Sequence, residues 1–261
     1  MIVTSRVESV RLDALVTAGG QPLMGLTADD FEVRDNGQLQ AVRLLGAGSL
    51  PLDVILTLDM SSSLAPERLD ALRAASGSLL GALEGDDRAA LATFSHVVTR
   101  RQRLTSNVSL VRDALQRVSP IGSTSLVDAM YAALSMAEAG DRRTLVIVFS
   151  DGIDTSSWLQ PEAVITAARR SETVIYGVST AGTRQTPQML LEVTEATGGK
   201  VLEVDSRSLP TAFVRILDEF RQRYLLSYTL PATPAPGFHR IEVRVKRRVA
   251  SVKTREGYTV R

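Results

Sequence analysis

The middle of the chain alternates between short apolar runs and segments whose apolar residues recur at helical spacing. Residues 52–58, 89–94 and 144–149 are apolar runs without alternation, which is typical of strands buried on both faces of a sheet. Helices are predicted between such runs, for example over about 66–83 and 125–139. This pattern predicts an α/β fold, a doubly wound and mostly parallel sheet with helices on both faces.

Both ends of the chain have the period of two that strands with one buried face show. Residues 6–18 place Val10 and Leu12 on one face and Asp13 and Leu15 on the other, which predicts a half-buried strand. Further strands are predicted at 31–35, 38–45, 225–230, 241–246, 251–254 and 258–260.

Neither end is long enough to form a stable sheet of its own, so we expect the terminal strands to pair with each other. The side chains expected to share one core are Val10, Leu12, Val16, Ile241, Val243 and Val245. The α/β domain is thus predicted to be inserted in a small β-sandwich-like domain made from both termini. The predicted division is 1–48 (N-terminal β segment), 49–224 (α/β domain) and 225–261 (C-terminal β segment, which pairs with 1–48).

Composition and charge exclude several classes of function. The formal net charge of +1 argues against a general polyanion binder, and the basic C-terminal strands lack the interleaved aromatics of a nucleic-acid surface, so we expect no nucleic-acid partner. The chain has no cysteine, which removes disulfides, thiolate metal sites and cysteine nucleophiles. Neither histidine has a metal ligand at a suitable spacing, so a zinc enzyme is not expected; His96 is predicted to lie in a turn between two strands.

Two observations concern membranes and export. No apolar run reaches the length of about 20 residues that a membrane-spanning helix needs, so no transmembrane segment is predicted. Residues 1–6 show neither a basic start nor a small-residue cleavage site, so no signal peptide is recognised in this sequence. Both a cytoplasmic protein and the mature part of an exported one fit this pattern.

The candidate chemistry lies in three polar loops, two of which directly follow a buried strand. Asp59, Ser61 and Ser63 alternate after the first central strand, and oxygen ligands of this kind suit a hard cation such as Mg²⁺. The other two loops are 122–125 and 150–154, and in a parallel sheet all three lie at the ligand-binding carboxyl end. For the first loop alone, the alternative is a Ser-rich helix cap with Ser63 as the acceptor.

The three loops, in this order on this fold, resemble the metal-ion-dependent adhesion site of von Willebrand factor type A domains over roughly residues 50–225. The metal ligands that this resemblance implies are Asp59, Ser61, Ser63, Thr124 and Asp151. Ser62 is a departure, since many members of the family have glycine there, but it removes no ligand. The implied cofactor is Mg²⁺, with Mn²⁺ or Ca²⁺ as alternatives. Asp154 has no role in this match and is expected to be a turn or helix-capping residue.

The flanks carry a second resemblance. Residues 26–33, the turn 35–37 and the tail 255–258 (Arg-Glu-Gly-Tyr) resemble the bacterial von Willebrand factor A-related family described from Acidobacteria. This similarity covers nearly the whole chain. It implies an extracytoplasmic protein, secreted, periplasmic or envelope-associated, rather than a cytoplasmic one.

These features favour a protein-binding module in which the metal accepts an Asp or Glu side chain from a partner protein. The alternative is a Mg²⁺-dependent phosphatase or other phosphoryl-transfer enzyme. Phosphatases of the haloacid dehalogenase type need a second aspartate two residues after Asp59, where this chain has Ser61. A third alternative is an intact fold with a vestigial metal site. The sequence leaves the partner and the oligomeric state open.

Overall fold

The computed structural model describes residues 9–47, 50–138, 140–150, 152–180, 186–231, 233–246 and 249–260, which form three β-sheets and six α-helices. The strands are β1 (Ser9–Ala18), β2 (Gln21–Pro22), β3 (Phe31–Asp35), β4 (Gln38–Gln40), β5 (Arg43–Ala47), β6 (Leu52–Asp59), β7 (Arg88–Phe94), β8 (Val98–Thr105), β9 (Arg143–Phe149), β10 (Val174–Thr180), β11 (Val201–Val204), β12 (Tyr224–Thr229), β13 (Gly237–Val245), β14 (Ser251–Lys253) and β15 (Gly257–Val260). The helices are α1 (Pro66–Gly81), α2 (Val108–Gln116), α3 (Leu126–Met136), α4 (Pro161–Arg170), α5 (Gln188–Ala196) and α6 (Leu209–Arg221).

The central sheet has the strand order β11-β10-β9-β6-β7-β8. All of its neighbouring pairs are parallel except β7 and β8, which form an antiparallel pair. Every residue of β6 is buried, because α1, α2 and α6 cover one face of the sheet and α3, α4 and α5 cover the other. The predicted doubly wound, mostly parallel α/β sheet is therefore confirmed.

The terminal strands form two antiparallel sheets that face each other. One contains β14, β1, β12 and β5, with β2 paired to β1, and the other has the order β15-β13-β3-β4. Val10, Leu12 and Val16 share a core with Ile241, and Val243 and Val245 pack against it, as the alternation predicted. Where the chain leaves and re-enters this sandwich, Ala47 of β5 pairs with Tyr224 of β12.

Two strand predictions were wrong. Asp13 and Leu15 are 8% and 5% exposed, so β1 is not half-buried. The face of β1 that carries Asp13 packs against the α/β part of the chain, where Arg143 at the start of β9 binds its carboxylate. The single strand expected at 38–45 is two strands, because the chain crosses between sheets: β4 pairs with β3, whereas β5 pairs with β12.

Candidate metal centre

The first candidate loop follows β6 and leads into α1, which begins with Pro66. Asp59 is fully buried, and its Oδ1 accepts a hydrogen bond from the Ser61 amide at 2.9 Å. This short turn places the hydroxyls of Ser61 and Ser63 side by side, with their Oγ atoms 2.9 Å apart. One buried carboxylate and two adjacent hydroxyls therefore follow a strand that is buried along its whole length.

The second loop is docked on the first through backbone groups. The amide and the hydroxyl of Ser62 both donate to the Gly122 carbonyl at 2.9 Å, and the Ile121 amide donates to the Met60 carbonyl at 2.8 Å. Gly122 has φ +77°, and a Cβ there would lie 2.2 Å from Nδ1 of His96. The positive φ and the close approach of the His96 ring therefore favour glycine at this position.

The third loop contacts both of the others. The Ser150 hydroxyl donates to Oδ2 of Asp59 at 2.8 Å. The Thr124 carbonyl accepts hydrogen bonds from the amides of Thr155 at 2.8 Å and Ser156 at 3.1 Å. A Cβ on Gly152 would lie 3.4 Å from Oγ1 of Thr124, so the threonine hydroxyl faces the start of this loop. All three loops are therefore linked to one another.

Four of the five predicted ligands, Asp59, Ser61, Ser63 and Thr124, lie on the first two of these linked loops. We call the described residues of these loops, 59–63, 121–125, 150 and 152–157, the candidate metal surface. Asp151 lies outside the described residues, between Ser150 and Gly152. The fit of a metal rests on the donors themselves, a buried carboxylate beside neutral hydroxyls, which is a set that a hard divalent cation prefers.

Ser150 and Asp154 of the third loop each make a specific hydrogen bond to another part of the chain. The hydrogen bond from Ser150 to Asp59 was not predicted, and the one sequence feature that points to it is a hydroxyl residue directly after a buried strand. Asp154 caps α3, since its Oδ2 accepts from the Val127 amide at 2.9 Å, and its Oδ1 accepts from the Ser157 amide at 3.2 Å. The expected helix-capping role of Asp154 is thereby confirmed. His96 lies in the bend between β7 and β8, as predicted.

Large apolar side chains stand exposed around the candidate metal surface. The four residues, which we call the apolar rim, are Val97 (55% exposed), Ile121 (63%), Ile153 (49%) and Trp158 (89%). The backbone that carries Trp158 is fixed, because the carboxylate of Asp128 on α3 accepts from the Trp158 amide at 3.0 Å and the Leu159 amide at 2.9 Å. Ile121 and Ile153 lie on the loops themselves, while Val97 follows His96, whose ring lies close to Gly122, and Trp158 follows Ser157. Exposed apolar side chains close to a binding site are typical of interaction surfaces.

Comparison with known families identifies similar proteins. The family model described as von Willebrand factor type A domain matches residues 53–213. A curated relative is the uncharacterised protein sll0103 of Synechocystis sp., 28% identical over 108 residues, which are 40% of this chain and 26% of the relative. The chain thus matches about a quarter of that relative's length.

Two solved structures share the fold. One is proximal thread matrix protein 1 from the mussel byssus, whose MIDAS (metal-ion-dependent adhesion site) motif is occupied by zinc. It superposes with a TM-score of 0.59 at 17% identity, covering 71% of this chain and 49% of that one. The von Willebrand factor type A protein from Catenulispora acidiphila has a TM-score of 0.58 at 12% identity, covering 98% of this chain and 75% of that one. Within the described residues, none of the helices is long and apolar enough to cross a membrane.

Proposed function

The chain belongs to the von Willebrand factor type A domain family, and on that premise we propose that the candidate metal surface is a metal-ion-dependent adhesion site. In this proposal Asp59, Ser61, Ser63, Thr124 and Asp151 hold Mg²⁺, and the bound ion accepts an Asp or Glu side chain from a partner protein. Mn²⁺ and Ca²⁺ are the alternative ions, and zinc is added to the test because a structural relative holds it.

One observation carries the proposal: the three loops are fastened to one another by protein hydrogen bonds. Ser62 binds Gly122, Ser150 binds Asp59, and the Thr124 carbonyl binds the amide of Thr155. A site whose donors are already positioned loses little conformational freedom when the ion binds. Linked loops of this kind also hold the ligands in place when one coordination position is exchanged from water to a partner's carboxylate.

The charge of the proposed donor set favours binding over turnover. Two carboxylates, from Asp59 and Asp151, balance a divalent ion, while Ser61, Ser63 and Thr124 contribute only neutral hydroxyls. The ion therefore stays electron-poor and attracts a further carboxylate. At a distance of about 4 Å, opposite unit charges interact by about 4 kcal/mol at an intermediate dielectric constant, before desolvation is subtracted.

The apolar rim indicates what surrounds the partner's acidic residue. Trp158 and Ile121 are 89% and 63% exposed beside the candidate metal surface, and such side chains lose their contact with water only against another apolar surface. Aromatic side chains are also enriched among the residues that dominate binding energy. We therefore expect the partner to present Asp or Glu flanked by large apolar residues, which a free small anion would not provide.

Metal binding by the isolated chain is the first test. Titration calorimetry with Mg²⁺, Mn²⁺, Ca²⁺ and Zn²⁺ should show one site, and Asp59→Ala, Ser61→Ala and Thr124→Ala should each lose at least about tenfold in affinity, which is about 1.4 kcal/mol. Ser78→Ala is the matched control, because Ser78 is an exposed hydroxyl near the end of α1, away from the three loops. Equal affinity in Ser78→Ala and Ser61→Ala would contradict the ligand assignment.

Partner binding is the second test. Selection from a displayed random peptide library in Mg²⁺ should enrich peptides with Asp or Glu beside apolar residues, and chelator should release them. Trp158→Ser should weaken peptide binding but leave metal affinity unchanged. Peptides that bind equally well in excess chelator would show that the metal is not the acceptor. Hydrolysis of p-nitrophenyl phosphate that requires Mg²⁺ and is lost in Asp59→Asn would instead favour the phosphatase alternative.

Three further proposals concern the domain division, the branch of the family and the location of the protein. We assign 1–48 and 225–261 to one β-sandwich-like domain and 49–224 to the domain with the adhesion site, which the pairing of Ala47 with Tyr224 supports. The flanking motifs support membership of the Acidobacteria-type branch. An adhesion site that captures a partner protein also fits an extracytoplasmic location.

A further inference from the structure

A cluster of titratable side chains lies inside the sandwich, away from the candidate metal surface. His239 of β13 is 8% exposed and stacks on the Tyr258 ring, with 4.9 Å between the ring centroids. The charged and titratable groups that lie around it on neighbouring segments are Asp35 (β3), Tyr228 (β12), Tyr258 (β15) and Arg255, which precedes β15. The turn 35–37 and the tail 255–258, which the function above does not use, therefore meet at this histidine.

Both ring nitrogens of His239 face acceptors. Nδ1 lies 2.8 Å from Oδ1 of Asp35, and Nε2 lies 2.8 Å from the Ala235 carbonyl oxygen. The hydroxyls of Tyr228 and Tyr258 donate to Oδ2 of Asp35 at 2.8 Å and 2.7 Å. A carbonyl only accepts, so Nε2 must carry a proton, and a second proton must lie between Nδ1 and Asp35.

The groups around His239 favour the imidazole with a proton on each ring nitrogen. Burial lowers the pKa of His239, but the hydrogen bonds to the Ala235 carbonyl and the Asp35 carboxylate outweigh it, so that the pKa lies above its ordinary value. Burial also raises the pKa values of Tyr228 and Tyr258, and both phenols therefore remain donors to Asp35. The network is complete only while both ring nitrogens of His239 carry protons.

We propose that His239 is a pH-sensitive clasp that fastens the proline-rich segment 233–236 to the sandwich in its protonated form and releases it when the proton is lost. Neutral imidazole keeps one N–H. A bare Nδ1 lone pair would face the Asp35 carboxylate, so the remaining proton stays on Nδ1. The Ala235 carbonyl then has no donor from His239. Ala235 is exposed, so its carbonyl can turn to water at little cost.

The direction of the pH effect follows from the raised pKa. The contact is complete below the ordinary histidine pKa of about 6.5 and is lost as the pH rises through the higher value of the folded state. Pro234 of this segment lines a cleft with Val10, Arg170 and Tyr258, between the sandwich and α4. Release of the segment therefore loosens one wall of that cleft.

The test is an NMR titration of the ¹⁵N-labelled chain, which has only two histidines. His96→Asn assigns the His239 signals. At pH 6, both nitrogens of His239 should carry protons, and the amide signals of Ala235 and Gly237 should shift with the same midpoint as His239. A single protonated nitrogen at pH 6, or an Ala235 signal that stays fixed while His239 titrates, would overturn the proposal.

A variant separates this clasp from other titrating groups. In His239→Gln the pH dependence of the Ala235 and Gly237 signals should disappear, whereas in Glu256→Gln, an exposed carboxylate next to the cluster, it should persist. A shift of unchanged size in His239→Gln would assign the pH response elsewhere. If His239→Gln does not fold, the titration of the unmodified chain decides alone.

Discussion

Replacement of Asp13 by asparagine removes the negative partner of a buried ion pair between the sandwich and the central sheet. Asp13 lies on β1 and Arg143 at the start of β9, and their side chains are 7% and 1% exposed. Nε of Arg143 donates to Oδ1 of Asp13 at 2.7 Å, and Nη2 donates to the same oxygen. The substitution changes the charge but almost nothing of the volume, so its effect reports the electrostatic role of the pair.

The expected loss is about 3 kcal/mol of unfolding free energy. Breaking a buried pair by removing one partner costs about 3–5 kcal/mol, because the other charge remains without compensation. Arg143 retains the Phe220 carbonyl at 2.9 Å and the Phe220 ring, whose centroid lies 4.5 Å from the guanidinium carbon. Asparagine also retains an acceptor oxygen. Both features place the loss at the lower end of the range.

Urea unfolding followed by circular dichroism measures this loss. With a slope of about 3 kcal/mol per molar urea, the midpoint should fall by about 1 M. Asp113→Asn, an exposed carboxylate on α2, is the matched control and should stay within about 0.5 kcal/mol of the unmodified chain. A midpoint for Asp13→Asn that equals the control would refute the reasoning. Combining Asp13→Asn with Arg143→Met should cost less than the sum of the single changes, since the charge that Asp13→Asn leaves uncompensated is then removed as well.

Two other predictions concern the third loop and the sandwich. Asp154→Ala should lower the free energy of unfolding by about 1 kcal/mol in a thermal melt, because it removes the acceptor that caps the Val127 amide. The affinity for Mg²⁺ should be unchanged in this variant, and a loss of that affinity would indicate that Asp154 is a metal ligand. Deletion of 231–261 should make β1 sensitive to protease, because the core residue Leu12 would lose the strands that cover it; a β1 that stays protected would show that the two ends are independent.

Secondary structure is predicted most reliably where a strand is buried on both faces, because most of its consecutive residues are then apolar. Strand β6 reads as a mostly apolar run, interrupted only by Asp53 and Thr57 before Asp59, because helices cover both faces of its sheet. The polar loop after it is equally local, since Asp59, Ser61 and Ser63 lie within five positions. For the same reason, the hairpin turn at Asn36-Gly37 could be placed: Asn36 has φ 46° and Gly37 has φ 80°, as that turn requires.

Contacts between distant segments could not be predicted in this way. The alternation of β1 suggests a solvent face at Asp13, but the residue that covers this carboxylate, Arg143, lies 130 positions away. The hydrogen bond from Ser150 to Asp59 joins residues 91 positions apart, and no rule about residue spacing predicts it. The network around His239 likewise depends on strands from both ends of the chain, so only the folded arrangement reveals its proton count.

The pairing of Ala47 with Tyr224 determines how the protein transmits mechanical force. The strands on either side of the central sheet are joined directly to each other, so the residues between them form a closed side loop. Tension applied across β1 and β15 therefore has a path through the hydrogen-bonded ladders that join β1 to β12 and β14, and this path bypasses β6. We therefore expect a partner held at the candidate metal surface to meet a site that is less strained than the sandwich when the sandwich is under load.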